Sequence, residues 1–337
     1  MPKPLSRRKI VFGVLFLICL LLLTACATSF PERHKISETR INNDFIIVKT
    51  TAKDTLSSLA AEYLNDPSKE WLISEFNHIK SLTPGEKLII PLFPFNKSGL
   101  KSGGYQTVPV LAYYSFSKNK PSKISITQGD FKAQMKYLKD NNYHVITLDQ
   151  LLDFLDYKEQ IPEKSVVITF DDGWSSVYDF AFPILKKYDF PATFFIYTDF
   201  IGGGKAMSWK QIKELSEAGF DIQCQTKTHR NLTVPKKKES FKEYFKSLEM
   251  EISDPKKLFK KKLNKECECL AYPYGITNNL VIAMLKKHGY RAAFTVEQES
   301  NPFFIDNYRI NRSAIYGEYD IEKFKNKLSV FQNMELK

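Results

Sequence analysis

The stretch Val166-Val167-Ile168-Thr169-Phe170-Asp171-Asp172-Gly173 constrains this chain most. A continuous β-branched run suits a strand covered on both faces, the environment of a parallel sheet. Its two acids fall where the strand ends, and α/β folds gather their functional groups at that end. Gly173 lets the backbone bend sharply after them. The spacing supports two readings. One carboxylate can hold a metal ion while its neighbour accepts a proton from an activated water. Equally, the pair can cap the following helix, since Asp is a favoured N-cap.

Around this stretch, strand-like and helix-like segments alternate from Val108 to about residue 330. Strands are expected at Val108 to Tyr113, Val166 to Phe170, Thr193 to Tyr197, Phe220 to Cys224, Cys267 to Tyr272 and Ala292 to Val296. Helices are expected near Asp130 to Asn141, Ser176 to Lys187, Trp209 to Ala218, Lys238 to Met250 and Thr277 to His288. Such alternation predicts an α/β fold, a parallel sheet with covering helices, and the length suits a (β/α) barrel spanning 108–330.

The amino terminus has a different character. Lys3, Arg7, Arg8 and Lys9 precede an apolar run from Ile10 to Leu23, the layout of a signal segment too short to span a bilayer comfortably. It ends in Leu23-Thr24-Ala25-Cys26, which resembles the lipobox of bacterial lipoproteins. That resemblance implies removal of residues 1–25 and lipidation of Cys26, placing the protein at the cell envelope. Ala27 after the cysteine favours the outer membrane, facing the periplasm, over the inner membrane in a Gram-negative cell. Losing four basic residues lowers the formal charge from +11 to about +7. A moderately basic surface suits anionic wall polymers or lipid head groups. The runs Lys236-Lys237-Lys238 and Lys256 to Lys262 read as solvated helix faces, and no nucleic-acid-binding motif is present. Cys224, Cys267 and Cys269 read as buried thiols.

Residues 26–43 read as a tether and 94–107, rich in Gly, Ser and Lys, as a linker. Between them lies a small unit, 44–93. Phe45 to Lys49 reads as a strand, Asp54 as the cap of a helix through Leu56, Leu59, Ala60 and Tyr63, and Trp71, Leu72 and Phe76 as a second helix. Pro84-Gly85 turns the chain into a last strand, Lys87 to Pro91. With the phrases Asp54-Thr55-Leu56-Ser57-Ser58-Leu59-Ala60 and Leu82-Thr83-Pro84-Gly85-Glu86-Lys87-Leu88, this βααβ order resembles a LysM domain. The resemblance implies binding of glycans that contain N-acetylglucosamine.

In the larger unit, four phrases occur in order: Val108-Pro109-Val110-Leu111, Thr169-Phe170-Asp171-Asp172-Gly173, Gln225-Thr226-Lys227-Thr228-His229 and Ala271-Tyr272-Pro273-Tyr274-Gly275. Together they resemble the NodB-type polysaccharide deacetylases of carbohydrate esterase family 4. This resemblance implies a distorted (β/α) barrel that removes N-acetyl groups from a glycan using one divalent metal, zinc foremost, with cobalt, nickel or manganese also suited. Carried over by position, Asp171 is the general base and Asp172 and His229 are metal ligands. Trp174, Pro273 and Tyr274 line the sugar, with Trp209 a further aromatic candidate. The implied substrate is peptidoglycan, a chitin-like oligomer or an exopolysaccharide.

Several positions depart from the pattern. Gln225 stands where a ligating histidine is usual, and its neutral amide oxygen suits zinc less well than imidazole. Ala271 replaces an arginine that orients the base, a charge that Arg309 or Arg312 can supply. No histidine follows His288 to serve as proton donor, and Tyr114 occupies a position where many relatives carry histidine. His34, His78, His144 and His288 read as structural or exposed. The departures leave open an alternative, a glycan-binding lipoprotein that keeps the fold without the catalysis.

Overall fold

A computed structural model describes residues 38–40 and 43–334; the expected signal segment, Cys26 and most of the tether lie outside the described residues. The chain divides into two units, one ending at Phe93 and one starting at Pro94.

In the first unit, β1 (Glu38–Arg40) pairs antiparallel with β2 (Phe45–Lys49), so these three residues of the expected tether belong to a sheet. After β2 come α1 (Leu56–Leu64), α2 (Glu70–Asn77) and β3 (Lys87–Pro91), which returns antiparallel along β2. The cap of α1 is Thr55, whose hydroxyl accepts the Ser58 N–H at 3.0 Å while the Ser58 hydroxyl accepts the Thr55 N–H at 2.9 Å. Asp54, the expected cap, instead accepts the Thr51 N–H and braces the preceding turn. Val48, Leu59, Ala60, Ile73, Leu88 and Ile90 form the core. Asn77 ties α2 to β3, donating to the Ile89 carbonyl at 2.6 Å and accepting its N–H at 3.0 Å.

The second unit begins earlier than expected. Within the segment read as a linker, β4 (Leu100–Lys101) and β5 (Gly104–Val108) are paired strands. Pro109, which has no N–H to give to a ladder, separates β5 from β6 (Val110–Tyr113), so the single strand expected from Val108 divides in two. There follow β7 (Ser115–Ser117), β8 (Ser125–Thr127), α3 (Gln128–Asp140), β9 (His144–Val145), α4 (Leu148–Leu155) and β10 (Ser165–Phe170). A π-helical turn at Val177–Ala181 leads into α5 (Phe182–Tyr188), then β11 (Thr193–Ile196), α6 (Trp209–Glu217) and β12 (Asp221–Cys224). Next comes α7 (Phe241–Leu263), which runs through Pro255 well beyond Met250 because Ile252, Pro255 and Phe259 continue its buried stripe. The chain closes with β13 (Cys269–Ala271), α8 (Asn279–Lys287), β14 (Ala292–Phe294), β15 (Asn301–Pro302), β16 (Ser313–Ala314), α9 (Ile321–Lys325) and β17 (Phe331–Asn333).

The main sheet has the order β14-β13-β12-β11-β10-β6-β16, all parallel, with β9 beside the start of β10. Ile310 bridges Phe294 of β14, and three residues on Ser313 pairs with Leu111 of β6. The segment 310–314 therefore draws the two sheet edges toward each other, giving a curled, barrel-like sheet. Side chains alternate across it. Val110, Val167, Phe195, Cys269, Ala271, Phe294 and Ile310 share one cluster inside the curl. Leu111, Tyr113, Ile168, Phe170 and Phe194 face the helices. Thr169 and Asp171, two and four residues after Val167, belong to the inner face by the same period. Cys224, Cys267 and Cys269 are free and buried, and burial raises the thiol pKa values of Cys267 and Cys269.

Candidate active site

Asp171 follows β10 directly, its N–H donating to the Tyr113 carbonyl at 2.8 Å. The helical segment begins only at Val177 and Ser176 is its cap residue, so the acid pair does not cap it. Gly173 adopts a φ of +99°, and a Cβ there would lie 2.8 Å from the Ile196 side chain. Only glycine fits this bend.

Inside the curl, Arg312 donates to both Asp171 oxygens, Nη1 to Oδ1 at 2.6 Å and Nη2 to Oδ2 at 2.8 Å. The same guanidinium donates to the Thr295 carbonyl at 3.0 Å and the Thr169 hydroxyl at 3.3 Å, and it lies 5.3 Å from the Phe195 ring. Arg312 is fully buried and Asp171 only 2% exposed. Burial opposes the Arg312 charge, yet Asp171 outweighs it and raises the arginine's pKa. Of the two arginines suggested by sequence, Arg312 takes the place left by Ala271. Arg309 instead faces Asp306 and Asn279 at the surface.

Asp172 turns the other way. Its φ of +72° directs the carboxylate toward His229, with Oδ1 3.4 Å from Nε2, while Oδ2 accepts the Trp174 indole N–H at 3.0 Å. Burial and then the Asp171 charge raise its pKa, opposed by Trp174, His229 and Gln225. His229, also at positive φ, lies between the Tyr197 and Tyr274 rings, each with its centroid 5.0 Å away. Asp172 and His229 thus bring a carboxylate and an imidazole together, two donor types that divalent cations accept. Gln225 joins them in space, but its Oε1 accepts the Asp172 N–H at 2.6 Å. Gln225, which the resemblance puts among the metal ligands, thus braces Asp172 through one lone pair of its amide oxygen. Among the described residues, no three His, Cys, Asp or Glu side chains gather as a metal cage, so the fit rests on Asp172 and His229.

A residue that sequence reasoning overlooked fixes His229. Glu251 on α7, 3% exposed, accepts the N–H groups of Lys227 and Thr228 at 3.1 and 2.8 Å and the Thr228 hydroxyl at 2.6 Å. The His229 N–H donates to the Thr226 hydroxyl at 3.1 Å. The available signal was an acid within the buried stripe Tyr244, Leu248, Ile252 and Phe259, where only a partnered carboxylate belongs.

Tyr114, singled out in the sequence for standing where many relatives carry histidine, lies beside Asp171. Phe170 pairs in register with Tyr113, so the next residues, Asp171 and Tyr114, end adjacent strands on the same face. Burial, and then the Asp171 charge, push the Tyr114 phenol well above its usual pKa. Pro273 is buried at the start of a tight turn that presents Tyr274, 63% exposed, at the rim. Trp209 packs on Phe259 with Lys262 over its ring, outside this group.

Residues 158–293 match the family profile described as polysaccharide deacetylase. The chain is 32% identical over 192 residues to YxkH of Bacillus subtilis, a protein named as a polysaccharide deacetylase, covering 56% of this chain and 64% of that protein. It is also 32% identical over 213 residues to a poly-beta-1,6-N-acetyl-D-glucosamine N-deacetylase of Staphylococcus aureus, covering 60% of this chain and 73% of that enzyme. A solved de-N-acetylase from Aggregatibacter actinomycetemcomitans superposes with a TM-score of 0.60 at 26% identity, covering 65% of this chain and 99% of that one. With the profile match spanning Asp171, Asp172 and His229, and the Staphylococcus aureus enzyme covered to 73% at 32% identity, the chain belongs to the polysaccharide deacetylase family.

Proposed function

We propose that the protein is a metal-assisted N-deacetylase of an N-acetylglucosamine-containing polymer at the cell envelope. The observation that carries this reading is the buried Asp171, gripped by Arg312, beside the converging Asp172 and His229 donors. Asp172 and His229 would hold the cation, and Gln225 would position Asp172 through its backbone. When bound, a divalent cation supplies positive charge against an amide carbonyl oxygen and acidifies a neighbouring water. Asp171 accepts the proton of the attacking water and can return it to the leaving nitrogen, giving acetate and a free amine. Arg312 keeps the base in one orientation through two parallel hydrogen bonds. Tyr274 and Trp174 offer aromatic surface to the sugar at the rim.

The amino-terminal part serves this reading as attachment. The βααβ unit would act as a LysM domain holding the polymer, and a lipid on Cys26 would hold the protein on the membrane. Fatty-acid labelling that is lost in Cys26→Ser tests the anchor.

Metal content of the purified protein, and acetate release from β-1,6- and β-1,4-linked N-acetylglucosamine oligomers with zinc, cobalt, manganese or nickel, test the activity. Release with at least one metal is expected. Absence of release with every metal and oligomer overturns it and favours the glycan-binding alternative, which the substitution at Gln225 supports.

A further inference from the structure

The segment that delivers Arg312 to the active site also builds the floor of a second cavity. Asn311 and Ser313 flank Arg312 and, by strand alternation, face the opposite side. They line a cavity of about 520 Å³. It lies by β5 and β15 at the amino-terminal end of the barrel strands, because only Pro109 separates Val108 of β5 from β6, whereas Asp171 follows the carboxyl end of β10.

Three features make this cavity a site for a ligand. Asn311 is 5% exposed and Ser313 2%, yet neither side chain has a hydrogen-bond partner among the described residues. Both residues line the cavity and their polar atoms are not sealed in the interior, so they are available to bond what enters it. Tyr105 and Phe304 form an aromatic wall, edge to face with centroids 5.3 Å apart, and Phe304 is 59% exposed. The rim adds the carboxamide of Gln332 and the ion-bearing side chains of Glu299 and Lys327.

An aromatic wall opposed by amide and hydroxyl groups matches a pyranose, which has an apolar C–H face and an equatorial ring of hydroxyls. The volume is that of ordinary small-molecule sites, roughly 300–1,000 Å³. We propose that this cavity binds a pyranose unit of the polymer, a second carbohydrate site at the end of the barrel away from Asp171. The ligand class rests on the polysaccharide reading above, while the cavity and its unpartnered groups do not.

Hydrogen–deuterium exchange of the full chain carrying Asp171→Asn, with a β-1,6-linked N-acetylglucosamine hexamer, tests it. Protection of residues 298–313 is expected, and Phe304→Ala should abolish it while leaving protection around residues 171–174. In the otherwise unaltered protein, Phe304→Ala should raise KM for long polymer about fivefold or more, with kcat and the KM for a dimer unchanged. Protection confined to the region around Asp171, protection of 298–313 that survives Phe304→Ala, or a polymer KM within twofold of the parent overturns the second site and leaves the deacetylase reading standing. Protection in neither region overturns both.

Discussion

Arg312 grips both carboxylate oxygens of Asp171, and neither side chain reaches bulk solvent. Removing one member of such a pair leaves an uncompensated charge inside the protein. Arg312→Ala should therefore cost about 3–5 kcal/mol in urea unfolding and abolish acetate release. The double variant Arg312→Met with Asp171→Leu should recover much of the stability and none of the activity. Equal stability of Arg312→Ala and the parent would refute the ion pair.

Glu251 should act through the loop it holds. Glu251→Ala removes the acceptors for Lys227, Thr228 and the Thr228 hydroxyl, freeing His229 to move. Zinc affinity measured by calorimetry should fall about 10- to 100-fold. Glu251→Gln, which keeps one acceptor, should recover part of it. Parental affinity in the alanine variant would show that the loop holds itself.

Gln225→Leu deletes the acceptor of the Asp172 N–H. An unsatisfied N–H in this setting costs about 1–3 kcal/mol. The variant should lose that much stability even in metal-free protein, whereas a residue acting only as a metal ligand would leave metal-free stability unchanged.

Tyr114→Phe should lower kcat about 10²-fold with little change in KM if the phenol donates to the reacting group. Because burial and Asp171 both raise the phenol's pKa, Tyr114 remains protonated through neutral and mildly alkaline pH. Any alkaline limb in the rate profile should then be the same in both proteins. Its disappearance in Tyr114→Phe would assign that limb to the phenol.

Chelation should stop acetate release and also lower the unfolding temperature, since a cation that binds only the folded site stabilises it by mass action. Zinc should restore both. A chelator-insensitive unfolding temperature would argue against a cation held by Asp172 and His229.

The strands were legible because their apolar period is local. Lys87–Pro91 falls at the expected bounds, and Ser165–Phe170, Thr193–Ile196 and Asp221–Cys224 fall within one residue of theirs. Short elements stabilised by distant partners were not legible. Leu100–Lys101 and Gly104–Val108 carry a linker's composition and become strands only through pairing with one another and with Phe331–Asn333. Within the site, the place of Asp171 and Asp172 at a strand end drew attention to them, and the family resemblance added His229 and the roles of all three. Arg312 lies about 140 residues downstream, so sequence could name it only as one of two arginines, and the closing strand made the choice. Gln225 was read by the chemistry of its amide, while its actual partner, a backbone N–H fifty-three residues away, depends on how two loops meet. Glu251 went unnoticed because it lies one residue beyond Met250, where the helix was expected to end.

The run Asn311-Arg312-Ser313 has a consequence for how this family member can vary. Its side chains alternate between the interior and the outer cavity, so point substitutions affect one compartment at a time. Insertion or deletion of a single residue between Ile310 and Ser313 would exchange the two sets, expelling the guanidinium and driving an amide or hydroxyl toward Asp171. In this short segment, chain length is held more tightly than residue identity.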